Sequence, residues 1–156
     1  MPNSGSPLID ANTLSKLRDA AKAALPRCYP RYSGFVVLAA VKTASGDIYG
    51  GANVEVANLS LTKHAEEAAV MAAITDGAPL DGGPWLEALY VIGGAPCGSC
   101  RQFLWEFATE DAVVVIDDTF GHVKSSLFLR DLLPEAFGPA DMKTDLRPGT
   151  PPPGVL

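Results

Sequence analysis

Two short stretches, Thr62-Lys63-His64-Ala65-Glu66-Glu67 and Ala95-Pro96-Cys97-Gly98-Ser99-Cys100-Arg101-Gln102, decide how this chain must fold. The first offers an imidazole and a carboxylate with one residue between them. The second offers two thiols with two residues between them, directly after a proline. One histidine and two cysteines are a normal ligand set for a zinc ion that keeps its fourth position open for water. Glu66 then stands as the acid/base beside that water. For His64, Cys97 and Cys100 to share one ion, both stretches must open helices whose N-termini aim at the same point. Cys97 and Cys100 lie on one side of such a helix, a turn apart. Pro96 suits its opening, where the missing N–H costs nothing. Thiolates there gain from unpaired N–H groups and the positive end of the dipole, which lowers their pKa. His64 and Glu66 are two residues apart and would point to nearly opposite sides inside a helix. They serve one site only if the helix starts there, with His64 at the cap. Thr62-Lys63 carries no helical pattern and the alanine run begins at Ala65, as this requires.

The elements around these stretches follow from periodicity. Residues 65–74 are helix formers, apolar on nearly every side, so this helix belongs in the middle of the domain, with Gly77 as its stop. Leu86 to Gly93 contains a strand, Ala88–Ile92. Its Gly93-Gly94 end puts the cysteine helix, expected from about Cys97 to Phe107, at the sheet's C-terminal edge, where open α/β sheets bind ligands. Upstream, Leu14, Leu17, Ala21, Ala24 and Leu25 recur at helical spacing over 13–25, ended by Pro26. Phe35–Val41 reads as a strand covered on both faces, and Ala44–Asp47 as a turn into a return strand at Ile48–Gly51. Ala112–Ile116 is a fourth strand, Gly121–Lys124 a short fifth, and Ser126–Leu133 a last helix stopped by Pro134. The order predicts an α/β layered fold: one domain over 9–146, a mixed sheet of about five strands, and helices on both faces. Residues 1–8 and the Pro-rich 147–156 read as tails.

With 156 residues, 47% of them apolar and 19% charged, the chain is globular. Its net charge of −6 argues against a protein that grips a phosphate backbone and leaves small neutral ligands open. The N-terminus lacks the basic start and apolar run of a secretory signal, and no apolar stretch approaches the ~20 residues of a membrane span. Three cysteines, two at metal spacing, read as a reducing cytoplasm without a disulfide framework.

Blander readings compete at each position. C-x-x-C alone can be redox or structural zinc, but a structural site wants four protein ligands. The remaining candidates are Cys28, placed as a packed thiol, and His122, placed as a solvated turn residue beside Gly121. Two thiolates and a neutral imidazole bring zinc to zero net charge, against −1 for three thiolates, so this set acidifies a bound water more readily.

His-x-Glu followed by Pro-Cys-x-x-Cys is the signature of zinc-dependent nucleobase deaminases. Three further stretches add to it. Arg31-Tyr32-Ser33-Gly34-Phe35-Val36-Val37, Gly51-Ala52-Asn53-Val54-Glu55 and Leu132-Leu133-Pro134-Glu135-Ala136-Phe137-Gly138-Pro139 resemble, in the right order, motifs of the cytidine deaminase family. The likeness runs from about Thr13 to Met142. It implies one zinc per subunit on His64, Cys97 and Cys100, with Glu66 as acid/base. It also implies that Asn53 and Glu55 hold the ribose hydroxyls, that Phe35 lines the pyrimidine pocket, and that the Ala65 N–H meets the base carbonyl. Arg101, beside Pro96, would donate to a metal thiolate. Phe137 would reach a neighbouring subunit's site in a homotetramer with shared active sites. The implied activity is hydrolytic deamination of cytidine or deoxycytidine in cytoplasmic pyrimidine salvage, with no nucleic acid polymer and no membrane as partner. A larger or N4-substituted cytosine nucleoside of the blasticidin S type is the runner-up, and a non-catalytic zinc module the remote alternative. Read from the residues alone, Asn53 is equally a turn residue, Glu55 an exposed loop acid, and Phe35 a core side chain. The family's usual Cys, Arg, Gly and Asn are replaced here by His64, Glu67, Leu38 and Val56. These changes are expected at the pocket wall.

Overall fold

The structure, a computed structural model, describes residues 7–80, 83–118 and 122–142. The 147–156 tail and most of the N-terminal one lie outside the described residues. Five strands form one sheet: β1 (Leu38–Thr43), β2 (Ile48–Ala52), β3 (Leu86–Ile92), β4 (Ala108–Asp117) and β5 (Val123–Phe128), in the order β2-β1-β3-β4-β5. Only the β3–β4 pair is parallel. Its crossover is helix α3 (Gly98–Trp105), as a parallel pair requires a connection that returns over the sheet.

Helix α1 (Ala11–Ala23) packs on one face of the sheet, and α2 (Ala65–Thr75), α3 and the short α4 (Leu129–Leu132) on the other. Successive side chains of β1 point to opposite faces. Leu38 and Ala40 therefore meet Leu17 and Ala21 of α1, while Ala39 and Val41 meet Ala65, Ala69 and Val70 of α2. Truncating a core residue such as Leu17 to Ala would cost about 3 kcal/mol. Gly50 and Gly51 of β2 allow both helices to sit close. A Cβ on Gly50 would strike the Ala20 carbonyl of α1, and one on Gly51 would strike the Ala69 nitrogen and Ala65 carbonyl of α2. Gly51 thus sets how near the first turn of α2 lies to the sheet.

The boundaries move where side chains replace periodicity. Helix α1 begins two residues before Thr13, because the Asp10 carboxylate caps it at the Thr13 N–H (2.9 Å). It stops at Ala23, and Pro26 sits in a single 3₁₀ turn. Strand β1 starts at Leu38 rather than Phe35, because residues 35–37 pair with Asn53 rather than with a strand. Val37 N–H donates to Asn53 Oδ1 (2.9 Å), Asn53 Nδ2 donates to the Phe35 carbonyl (2.8 Å), and Asn53 N–H to the Val37 carbonyl (3.2 Å). Strand β4 reaches back to Ala108, which pairs with Leu86 across a bulge. β5 runs through Ser126 to Phe128, where it pairs with Val113–Val115, so α4 keeps only one turn of the helix expected over 126–133. Gly77 does terminate α2, at φ +100 with its N–H on the Ile74 carbonyl.

Candidate active site

Two helix starts meet at the C-terminal end of β3. His64 is the N-cap of α2, with extended backbone at φ −79 and ψ 156, and Cys97 is the N-cap of α3. Pro96 therefore stands one residue before the cap rather than inside the helix, and it is buried. Two contacts fix the His64 cap: its N–H donates to Glu67 Oε2 (3.0 Å), and its carbonyl receives the Ala68 N–H (3.0 Å). Glu67, the departure from the family's arginine, is thus a capping residue, the glutamate of a capping box.

The three donor atoms converge. His64 Nδ1 lies 3.2 Å from Cys100 Sγ and 3.5 Å from Cys97 Sγ, and the two sulfurs are 3.6 Å apart. A tetrahedral ion with Zn–S near 2.3 Å and Zn–N near 2.0 Å would hold its sulfurs about 3.8 Å apart and nitrogen about 3.5 Å from each. The set fits zinc within a few tenths of an ångström. His64, Cys97 and Cys100 are also the metal-competent group found among the described residues. Cys28 bonds elsewhere and His122 is exposed, so neither is a fourth ligand. The expected lowering of thiol pKa does not hold for Cys100. Burial, with Glu66 close by, pushes that thiol up.

Glu66 is the second residue of α2 and only 3% exposed. Burial pushes its carboxyl pKa up, while its own backbone N–H, His64 and Cys100 pull it down more weakly. Ala65 is the first residue of α2, where a backbone N–H has no partner within the helix. His64, Ala65, Glu66 and Cys97 line one side of a cleft of about 260 Å³, and Phe35, Val37, Asn53 and Glu55 also line it, with Thr62, Gly94 and Ala95.

The Asn53–Glu55 wall is built from irregular backbone. Tyr29 N–H donates to the Asn53 carbonyl and Glu55 N–H to the Tyr29 carbonyl, both at 2.9 Å. On the other side Val54 and Lys63 exchange both backbone bonds, which ties this wall to the residue before His64. Glu55 is no exposed loop acid. It is buried, Oε2 accepts the Tyr32 and Ser33 N–H groups (2.7 and 3.0 Å), and Oε1 accepts the Ser33 hydroxyl. Those donors, the Ser33 hydroxyl foremost, hold its carboxyl pKa below the ordinary value. Phe35 is 58% exposed on the cleft rather than in the core.

Two expectations, the pocket-wall places of Leu38 and Val56, land elsewhere. Arg101 bridges the Pro96 and Leu132 carbonyls (2.8 and 3.0 Å), and its described bonds reach no sulfur. Phe137 stands 60% exposed away from this cleft, its carbonyl held by Gln102 Nε2 (2.8 Å). Leu38 faces α1 on the opposite side of the sheet, and Val56 is exposed without lining the cleft, so neither alters the pocket wall. The sequence reading missed Ser33, Val37 and Thr62 at the wall, together with the bond from Cys28 to Asn53. Nothing in their spacing marks them; the 31–37 motif, which holds Ser33 and Val37, gave the signal available for those two.

Residues 11–116 match the family model for the cytidine and deoxycytidylate deaminase zinc-binding region. A cytidine deaminase from Sporosarcina psychrophila is 33% identical over 134 residues, 83% of this chain and 94% of that protein. Cytidine deaminase from Vibrio cholerae is 38% identical over 146 residues, 85% of this chain; the chain spans 44% of its length. The solved cytidine deaminase from Burkholderia pseudomallei superposes with a TM-score of 0.71 at 37% identity, covering 79% of this chain and 98% of that one.

Proposed function

The chain belongs to the cytidine deaminase family of hydrolases, and from that premise we propose that it converts free cytidine or 2′-deoxycytidine to the uracil nucleoside and ammonia. The carrying observation is one cleft that holds a buried carboxyl, Glu66, beside the His64–Cys97–Cys100 donor set. When bound by those three side chains, zinc, one per subunit, supplies an acidified water at the open position. Glu66 accepts a proton from the attacking water as its oxygen adds to C4 of the base. It delivers that proton to N3, then takes the remaining proton from the new C4 hydroxyl and passes it to the departing amine, so one water is consumed and one ammonia released. A carboxyl whose pKa is raised by burial suits both halves of that exchange. The Ala65 N–H, without a partner inside α2, faces the base carbonyl, Phe35 covers the ring, and Asn53 and Glu55 take the sugar hydroxyls.

The proposed assembly is a homotetramer in which Phe137, exposed and with its carbonyl held by Gln102, caps a neighbour's cleft. A net charge of −6 fits a free nucleoside, in cytoplasmic pyrimidine salvage, rather than a polynucleotide. No helix among the described residues is long and apolar enough to cross a membrane.

The test is Glu66→Ala, with zinc content measured by atomic absorption and ammonia release on a nucleoside panel. Zinc should stay bound while turnover of cytidine falls by about 10³-fold or more. Turnover near the wild-type rate would overturn the mechanism.

A further inference from the structure

Cys28 stands outside the metal set, and the proposed chemistry gives it no task. It is half-buried where residues 28–29 run beside 53–55, and its Sγ lies 3.0 Å from Asn53 Oδ1. An amide oxygen has two lone pairs. Here the Val37 N–H (2.9 Å) takes one and the Cys28 thiol the other. Nδ2 gives one of its two hydrogens to the Phe35 carbonyl (2.8 Å). Asn53 is therefore left with a single N–H for a ligand in the cleft it lines, and with no free acceptor.

We infer that Cys28 is a positioning residue for nucleoside binding: its thiol holds the Asn53 amide so that this side chain meets the sugar only as a donor. Glu55 beside it offers only acceptors, so a hydroxyl between the two can give its proton to Glu55 and receive one from Asn53. Burial pushes the Cys28 thiol up, so at neutral pH it keeps the hydrogen this role needs. The inference rests on the nucleoside deaminase reading and adds to it a residue that no metal or base contact would reveal.

The experiment compares Cys28→Val, close in size but without a donor, with Cys28→Ser, which keeps one. Cytidine is followed by ammonia release, and 2′,3′-dideoxycytidine is used as a competitor. One neutral hydrogen bond of about 1 kcal/mol corresponds to roughly fivefold in affinity. Cys28→Val should raise KM for cytidine about fivefold with kcat within about twofold. Cys28→Ser should stay within about twofold of wild type in both. The inhibition constant of the dideoxy competitor should move less than about twofold in either variant, since the hydroxyls that Asn53 serves are gone. Equal losses on cytidine and the dideoxy compound, an unchanged KM in Cys28→Val, or a serine variant as impaired as valine would overturn this inference while cytidine turnover by the wild type left the deaminase reading standing. Absence of cytidine turnover in the wild type would bring both down.

Discussion

The cleft joins two walls made in different ways. The metal corner stands on regular structure: two helix caps, His64 and Cys97, held at the edge of the sheet by the backbone bonds of α2 and α3. The sugar-side wall, residues 28–37 and 53–55, belongs to no long element. It is held by side chains bonding to backbone, with Asn53 on residues 35–37 and Glu55 on residues 32–33. The metal corner should thus fail all at once when a ligand or a helix moves. The wall should fail in small steps, one hydrogen bond at a time.

The largest effect expected is at the ligands. Cys100→Ala removes a buried donor from a three-donor set, and zinc per chain after dialysis should fall at least tenfold, with turnover lost alongside it. Cys28→Ser in the same assay should hold its zinc. A loss of metal from the Cys28 variant would erase the distinction between the two walls and revive a four-ligand structural site.

Next in size is the packing that carries the corner. Gly51→Ala places a methyl group against the backbone of Ala65 and Ala69. Rigid backbone on one side and a sheet strand on the other leave little room to yield. The variant should lose about 3 kcal/mol of stability in denaturant titrations. Because α2 is the helix displaced, zinc affinity should weaken as well, while the bonds between Glu55 and residues 32–33 stay in place. A Gly51→Ala protein with unchanged stability would mean that the α2 cap is not seated by β2.

The same division decides how much could be read without coordinates. Ligand spacing, the onset of the alanine run at Ala65 and the apolar strands gave the layered fold, the strand count and the meeting of two helix N-termini. Each of these rests on a short-range period or a cap rule. What stayed out of reach rests on long-range side-chain bonds. Residues 35–37 are as apolar as a strand but pair with an asparagine side chain instead. Cys28 looked like packing because nothing in its neighbours points to residue 53. Pocket-wall roles for Leu38 and Val56 came from motif alignment, which says nothing about the face a residue occupies; the β1 register turns Leu38 toward α1. Cys100 shows a competition that rules of position miss. Its place at a helix start reads as favouring the thiolate, while burial beside Glu66 pushes the thiol up.

The smallest effect expected is a titration in the wall itself. Glu55 receives the Ser33 hydroxyl and the N–H groups of Ser33 and Tyr32, donors that all favour its charged form, so its folded pKa lies below the unfolded one. A depressed carboxylate contributes stability above the unfolded value, about 4.3 for glutamate. That contribution fades as pH falls toward and through the folded value. The amide proton shifts of Tyr32 and Ser33, followed by NMR, should titrate with a midpoint below the ordinary glutamate value of about 4.3. Removing the strongest donor with Ser33→Ala should shift that midpoint back up toward the ordinary value and leave zinc content unchanged. Should the wild-type midpoint already sit at or above the ordinary value, Glu55 is not braced by this turn, and the wall must be held by Asn53 and the Tyr29 pairing alone.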